Sequence, residues 1–351
     1  MAPLLTIADL ARQTGLEEAE LRFYESEHSG ELPAKVLVGG RLLFVPEAVA
    51  AFKAIHARHA GAAAVALPQP RVARVLAVTS GKGGVGKTSL ALNLAVEWQR
   101  QGRMTVLLDA DMGMANVHLL CGLRPERSLA DVLAGRCGLA EIIAEGPEGI
   151  GVVAGGTGVL ALADSSRPER FALLRELDTL ARQADAIIID TGAGMGRQVR
   201  DFLFACDQLL FVLTPEVTSL ADAYGLLKAL HQEGLGGGKV FSVVNMADSL
   251  RQAAEAASRF AACAGRFLDR QVTSCGYVLR DASVSLAVAE RVPFTLLRPQ
   301  TRAAVNARQV ALALLQQEDG SVRLHSSFAR YHRLLTERLA ALAAPATGVA
   351  P

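Results

Sequence analysis

The chain has few cysteines and few aromatic residues, and it lacks a strong net charge. Its 351 residues include five cysteines, and aromatic residues make up 5% of the sequence. The cysteine count is odd and includes no Cys-x-x-Cys pair, which argues against disulfide and zinc sites and predicts a reducing, cytoplasmic location. The net charge of +1 provides no global field that would draw the protein to nucleic acid or acidic lipid.

Long hydrophobic runs are also missing. No apolar stretch approaches the ~20 residues of a membrane-spanning helix. The N-terminus has no basic segment followed by an apolar core, so we predict no signal peptide. Apolar residues nevertheless make up 51% of the chain, which is enough for a sizeable core. The length predicts one large domain or two unequal ones.

The stretch 81–88 is the most informative part of the sequence. An apolar run with β-branched residues (74–79) precedes it, and a segment with helical periodicity (89–100) follows it. A strand, a glycine-rich turn and a helix form the context that a phosphate-binding loop requires. The G-x-x-x-x-G-K-T spacing predicts that Lys87 reaches the β- and γ-phosphates and that Thr88 binds Mg²⁺. The predicted nucleotide-binding residues are Gly81, Gly83, Gly84, Val85, Gly86, Lys87, Thr88 and Ser89.

The loop carries a second lysine, Lys82, directly after its first glycine. This Lys-Gly-Gly-Val-Gly-Lys-Thr form resembles the phosphate-binding loop of the MinD/ParA class of ATPases. The resemblance implies ATP and Mg²⁺ as cofactors. It also implies an ATP-sandwiched homodimer, in which Lys82 reaches the nucleotide of the partner and takes part in catalysis. The alternative is that Lys82 is a solvated loop cation.

From residue 72 onward, short apolar runs alternate with helical stretches. The runs have the length of strands and lie at 75–79, 105–109, 150–154, 186–190, 209–214 and 240–245. This alternation predicts an α/β domain over 72–317, with a mostly parallel sheet flanked by helices. Ligands bind at the C-terminal ends of the strands in such sheets.

Polar residues at the ends of these predicted strands complete the site. Asp109 and Asp111 follow one strand, Asp190 ends another in the Walker B arrangement, and Asn245 ends a third. Asp190 is predicted to hold Mg²⁺ through water. Carried over by position, the family resemblance implies that Asp111 orients the attacking water, that Asp109 supports the metal shell and that Asn245 pairs with adenine. For Asp109 and Asp111, the alternative is that they cap the next segment.

Three further sequence blocks indicate which subfamily of the MinD/ParA class the chain resembles. The blocks that begin at Asp109, Asp190 and Thr214 are similar to those of the FlhG subfamily, whose members control flagellar number and placement. The resemblance covers about 72–315 and implies an FlhF-type GTPase as a partner, although a different module stands in place of the usual segment that stimulates this GTPase. ParA-type DNA partition and an ATP-controlled transcription regulator are open alternatives.

Residues 1–59 are predicted to form a separate module. Two short helices around Gly15, a hairpin at 35–45 and a third helix form the pattern of a winged helix-turn-helix, similar to the DNA-binding head of the MerR family. Residues 1–60 hold six Lys or Arg against eight Asp or Glu, so little positive charge is available for phosphate contacts. DNA binding and docking of a regulator protein are both open for this module.

The end of the chain is predicted to be an amphipathic helix over 318–344. Its apolar residues fall within an arc of about 80°. They are Phe328, Tyr331, Leu335, Leu339 and Leu342. Such a face can lie in a lipid interface, and MinD-like proteins carry a membrane-targeting helix at this end. The resemblance therefore implies a peripheral location at the inner face of the cell membrane, through residues 328–342. The alternative is a helix that packs on the core of its own domain.

Residues 60–71 are predicted to be a linker, and residues 345–351 are predicted to be a disordered tail.

Overall fold

The structure, a computed structural model, describes residues 4–28, 31–33, 35–38, 41–59, 72–111, 115–156, 167–235, 238–317 and 325–343. These residues form two units, one up to residue 59 and one from residue 72 onward. The predicted linker at 60–71 and the predicted tail at 345–351 lie outside the described residues.

The first unit is a small helical module with a two-stranded wing. Its elements are α1 (Ile7–Thr14), α2 (Glu18–Glu27), β1 (Lys35–Val38), β2 (Arg41–Phe44) and α3 (Ala48–His59). Thr6 and Asp9 form a capping box at the start of α1, and Gly15 ends this helix at φ 77°, a conformation that favours glycine. The strands β1 and β2 pair antiparallel. A core that includes Leu10 and Phe52 joins the three helices, and the predicted winged helix-turn-helix is confirmed.

An eight-stranded sheet forms the centre of the second unit. Its strands are β3 (Arg74–Thr79), β4 (Thr105–Ala110), β5 (Ile143–Glu145), β6 (Gly151–Val153), β7 (Ala186–Thr191), β8 (Gln208–Leu213), β9 (Lys239–Ala247) and β10 (Val272–Leu279). They lie in the order β10-β9-β8-β3-β7-β4-β6-β5, and every pair is parallel except β5 with β6. The predicted mostly parallel α/β fold is confirmed, although the sequence did not predict the two outermost strands.

Helices cover both faces of this sheet. They are α4 (Lys87–Arg100), α5 (Val117–Leu120), α6 (Leu129–Leu133), α7 (Arg167–Ala181), α8 (Arg197–Phe204), α9 (Val217–Gln232), α10 (Leu250–Leu268), α11 (Ala282–Glu290), α12 (Phe294–Leu297), α13 (Arg302–Gln316) and α14 (Ser327–Ala343). Short 3₁₀ turns lie at Leu139–Ile142 and Pro147–Gly149. Leu76 and Val78 of β3 pack in a cluster with α4 and α13, whereas Val75 packs in a cluster with α7. None of the described helices has both the length and the apolar composition needed to cross a membrane.

The C-terminal helix α14 packs against its own domain. Phe328 and Tyr331 are buried in the same cluster as α7, and Leu335 packs against that cluster. The Tyr331 hydroxyl donates to Asp201 Oδ1 at 2.9 Å, and its ring stacks on Phe204. Both partners belong to α8, so α14 is fixed to α8 as well as to α7.

This packing corrects the first half of the predicted lipid-facing arc at 328–342, the part that ends at Leu335. The first three of its five apolar residues pack with apolar side chains of the core, which include residues of α7 and α8. Arg330, on the polar side, pairs with the buried carboxylate of Asp207. The side chains of Leu339 and Leu342 lie outside the described residues. The described half of α14 thus follows the core-packed alternative.

Candidate functional site

The glycine-rich loop lies between β3 and α4, at the C-terminal ends of the strands. Gly86, at φ 87°, directly precedes α4, which begins at Lys87. The first N–H groups of a helix have no intrahelical acceptor, and they carry the positive end of the helix dipole. The loop and the start of α4 therefore have the geometry and the charge that suit an anion.

Close backbone approach requires glycine at two positions of this loop. A Cβ atom at Gly81 would overlap the backbone of Asp222 in α9, and a Cβ atom at Gly86 would overlap Asn245 Nδ2. The Asn245 amide donates to Val85 O at 2.8 Å, so it holds the loop from β9. The structure thus gives Asn245 a positioning contact, while its predicted pairing with adenine stays a prediction.

A cavity of about 830 Å³ opens beside the loop. Its lining comes from four segments: Gly83, Gly84, Gly86, Lys87, Thr88 and Ser89; Ala110, Asp111, Asn116, Leu119 and Leu120; Gly192, Ala193, Gly196 and Val199; and Val288 and Arg291. The structure therefore brings most of the predicted loop residues together with Asp111. The other predicted site residues, Gly81, Lys82, Val85, Asp109, Asp190 and Asn245, lie outside this lining. Sequence reasoning missed Val288 and Arg291, since nothing in α11 signals a ligand.

Asp190 is a buried acid in β7, next to the start of α4. The Thr88 side chain hydrogen-bonds to it, while its Oδ1 atom has no partner among the described residues. Burial raises the pKa of Asp190 to about 8, and the charge of Asp109 acts in the same direction. Burial also lowers the pKa of Lys87, against the attraction of Asp190 and Asp111. A buried oxygen without a partner, beside a hydroxyl group, fits a hard cation such as Mg²⁺.

Asp109 organises the loop that follows β4. Its Oδ1 atom accepts from Asp111 N at 3.1 Å, and its Oδ2 atom accepts from Asn116 N at 2.9 Å and Val117 N at 3.0 Å. Burial raises the pKa of Asp109 to about 6, although these hydrogen bonds lower it. The contacts to Asn116 and Val117 cap the start of α5, as in the alternative considered for Asp109. Its predicted place in the metal shell stays a prediction.

Lys82 is held by its own chain. Its Nζ atom donates to Glu216 Oε2 at 2.6 Å and to Thr218 Oγ1 at 3.3 Å. The hydrogen bond and charge of Lys82 lower the pKa of Glu216. Sequence reasoning missed these partners, because 134 residues separate Lys82 from Glu216 along the chain. The predicted role of Lys82 across a dimer interface stays a prediction.

The loop after β7 is tied to the segment that leads into the glycine-rich loop. Gly194 N donates to Ser80 O at 3.2 Å, and Thr191 Oγ1 donates to Val78 O at 3.0 Å. Gly194 lies at φ 87°, which favours glycine. Two hydrogen bonds therefore connect the end of β7 and the loop after it to the residues that lead into the phosphate-binding loop.

Comparisons with known proteins agree with this geometry. Residues 73–233 match the family model described as an AAA domain, and residues 5–59 match the model of the MerR HTH family of regulatory proteins. The chain is 36% identical over 238 residues to the antiactivator FleN of Pseudomonas aeruginosa, a match that covers 68% of this chain and 85% of FleN. It is 34% identical over 155 residues to the flagellum site-determining protein YlxH of Helicobacter pylori, covering 44% of this chain and 53% of that protein.

A solved structure shows the same fold. The septum site-determining protein MinD from Pyrococcus horikoshii, in complex with Mg-ADP, matches with a TM-score of 0.59 and 24% identity, covering 69% of this chain and 96% of that chain. This likeness concerns the fold, whereas the similarity to FleN extends over most of that protein's sequence. The chain therefore belongs to the MinD/ParA family of P-loop ATPases and carries a MerR-type helix-turn-helix module at its N-terminal end.

Proposed function

We propose that this chain is a Mg²⁺-dependent ATPase switch that forms a homodimer on ATP and regulates flagellar number or placement, or another positioning process. The observation that carries the proposal is the cavity lined by the glycine-rich loop, Lys87, Thr88 and Asp111. A cation, a hydroxyl group, a carboxylate and the start of a helix are the groups that bind and cleave a nucleoside triphosphate.

Lys87 is the main cation for the nucleotide in this proposal. Its ammonium group is buried at the start of α4, close enough to Asp190 and Asp111 for their charges to act on it. A cation that has already lost most of its water binds phosphate more strongly than a solvated cation does, because water screens it less. Lys87 is therefore placed to bind the β- and γ-phosphates.

The residues present fit Mg²⁺. Thr88 and Asp190 are joined by a hydrogen bond, and Asp190 Oδ1 is buried without a partner in the described part of the chain. We propose that Thr88 holds the ion directly and Asp190 through water. When bound, Mg²⁺ neutralises charge on the phosphates.

Asp111 is the residue that we propose for orienting the attacking water. Its carboxylate lines the cavity, and it lies beside Gly192 of the loop after β7. Asp109 holds the backbone of Asp111 and so positions that side chain. An ordered water is needed for ATP cleavage but not for ATP binding. A substitution at Asp111 should therefore lower hydrolysis without lowering the affinity for ATP.

Phosphate release measured with Mg-ATP tests the catalytic part of the proposal. We expect Asp111→Asn to retain ATP affinity and to lower hydrolysis about 100-fold. The matched control is Asp269→Asn, at the exposed end of α10, which should hydrolyse ATP as the wild type does. Wild-type turnover in Asp111→Asn would contradict the assignment.

Dimerisation on ATP is supported by the placement of Lys82. This residue sits on the exposed side of the loop, where Glu216 and Thr218 hold it. Exposed ion pairs contribute little to stability, so Lys82 can exchange Glu216 for the phosphates of a second subunit at small cost. We therefore propose that Lys82 reaches the partner's nucleotide after it leaves Glu216.

The biological role is inferred from similarity to FleN and YlxH, the latter named as a flagellum site-determining protein. Chromosomal Lys87→Ala in the source organism should change the number or position of flagella, counted by electron microscopy. The matched strain carries Lys228→Ala, at an exposed site in α9. Normal flagella in the Lys87→Ala strain would rule out this role.

An FlhF-type GTPase as partner is a further proposal, to be tested by pull-down with ATP.

A DNA-binding regulator is the second candidate function, because the head matches the MerR family. Several of its cations already pair with acids of the same module: Arg12 with Asp9, Arg22 with Glu18 and Lys35 with Glu25. These pairs reduce the charge offered to DNA phosphates. Mobility-shift titration against promoter DNA from the chain's own locus tests this candidate. Specific binding favours a transcription role, ATP-dependent binding to any DNA favours a ParA-type partition role, and no binding favours docking of a regulator protein.

A further inference from the structure

Arg291 has a backbone conformation that arginine rarely adopts. It ends α11 at φ 56°, in the left-handed region, where helices commonly use glycine. Among the described residues, four non-glycine residues have a positive φ: Glu148, Met246, Asp269 and Arg291. Asp269 belongs to a residue type that adopts this region more readily than arginine does. Met246 directly follows Asn245, which contacts the glycine-rich loop.

The same arginine lines the cavity beside the glycine-rich loop. Lys87 and Arg291 are the basic residues in its lining, as far as the chain is described. Arg291 is exposed, and its guanidinium makes no hydrogen bond or ion pair with the described residues, whereas the guanidinium of Arg280 is held by Asp248 at 3.1 Å. A disfavoured backbone conformation therefore presents a cation, without an acidic partner among these residues, at the wall of an anion-binding cavity.

We propose that Arg291 is a further nucleotide-binding residue, whose guanidinium contacts phosphate oxygens from the α11 side of the cavity. The inference rests on the proposed nucleotide site. Guanidinium groups donate in a planar fork that fits phosphate oxygens, and they stay charged at any physiological pH. A triphosphate brings several negative charges next to Asp111 and Asp190, so a second cation on the wall of the same cavity as Lys87 offsets their repulsion.

The competing explanation is structural. A cation at the C-terminal end of a helix interacts favourably with the helix dipole, and Arg291 occupies such an end in α11. The two explanations predict different effects of the substitution Arg291→Gly on nucleotide binding. Glycine adopts φ 56° without strain, so Arg291→Gly relieves the backbone while it removes the charge.

The test is calorimetric titration of the full chain with Mg-ADP and with a non-hydrolysable Mg-ATP analogue, alongside thermal unfolding without nucleotide. We expect Arg291→Gly to bind at least one of the two nucleotides about 10-fold more weakly, with an equal or higher melting temperature. Arg291→Asn, which also tolerates the left-handed region, should weaken binding similarly, and Arg291→Lys less. The control Arg298→Ala, an exposed arginine outside the cavity, should bind as the wild type does.

Affinities within twofold of the wild type for both nucleotides, in Arg291→Gly and Arg291→Asn, would overturn the inference and leave Arg291 as a helix cap. In that case Lys87→Ala would still lose nucleotide binding, and the proposed site would stand. If the wild-type chain bound neither nucleotide, the proposed function would fail, and the role of Arg291 with it.

Discussion

At the scale of single residues, Lys87 gives the sharpest prediction. It is buried at the start of α4 and lines the cavity, so its ammonium group has one suitable kind of partner there, an anion. Lys87→Ala should weaken ATP binding at least ~100-fold, because the β- and γ-phosphates lose their main cation. Calorimetric titration measures this affinity, and Lys228→Ala on the exposed face of α9 is the matched control. Equal ATP affinity in the two variants would refute the site.

Asp190 predicts a pH dependence of stability in the absence of nucleotide. The pKa of Asp190 rises from 3.8 to about 8 in the folded chain, chiefly because the carboxyl group is buried. Between these values the folded state binds a proton that the unfolded state releases, so the free energy of unfolding falls as pH rises from about 4 to 8. Asp190→Asn removes this proton exchange and should reduce the fall by ~1–3 kcal/mol.

Urea unfolding at pH 5 and pH 8 measures the effect. The control is Asp269→Asn, whose fall in stability should equal that of the wild type. If Asp190→Asn showed the same fall as the wild type, the buried carboxyl group would not hold its proton in the way the structure indicates.

Sequence reasoning identified individual residues better than it identified contacts. The spacing of the glycines and Lys87 predicts the phosphate-binding loop, because that function depends on local backbone geometry. The contact between Lys82 and Glu216 could not be predicted, since it depends on how α9 packs beside the loop. The sequence also left two roles for Asp109, because a carboxylate at the end of a strand can either support a metal ion or cap the next helix.

At the scale of elements, the C-terminal helix shows a similar limit. The spacing of its apolar residues predicts an apolar face, but this spacing carries no information on whether lipid or protein covers that face. Strands β5 and β10 were missed for another reason. The first is three residues long, and the second includes polar residues and Gly276, so neither forms a continuous apolar run.

Substitutions of two neighbouring leucines test whether α14 packs against its own domain or against lipid. Leu335 packs against the cluster that holds α7, whereas Leu334 is exposed. Leu335→Glu should lower the free energy of unfolding by ~1–3 kcal/mol, because it places a charge against the core, and Leu334→Glu should change it little. Thermal unfolding and liposome sedimentation on both variants provide the comparison. Equal melting temperatures, with a wild-type chain that pellets with liposomes, would favour the lipid-facing arrangement.

At the scale of the whole molecule, the proposed switch needs two copies of the chain. In this proposal, Lys87 would bind the nucleotide of its own subunit, and Lys82 would leave Glu216 to bind the nucleotide of the partner. Hydrolysis would remove the γ-phosphate and with it part of the proposed attraction between the two subunits. The loop at Gly194 is the segment that we propose would transmit this change, because Gly194 N donates a hydrogen bond to Ser80 O beside the phosphate-binding loop.

The most direct test of this switch is the molar mass of the chain in solution, measured by size-exclusion chromatography with light scattering. Asp111→Ala, which should bind ATP and hydrolyse it slowly, is predicted to be a dimer in Mg-ATP and a monomer in Mg-ADP. Adding Lys82→Ala to this variant should leave ATP bound and the chain monomeric, while adding Lys228→Ala should leave the dimer intact. A dimer of the Lys82→Ala double variant, or the same mass in both nucleotides, would contradict an ATP-driven switch at this site.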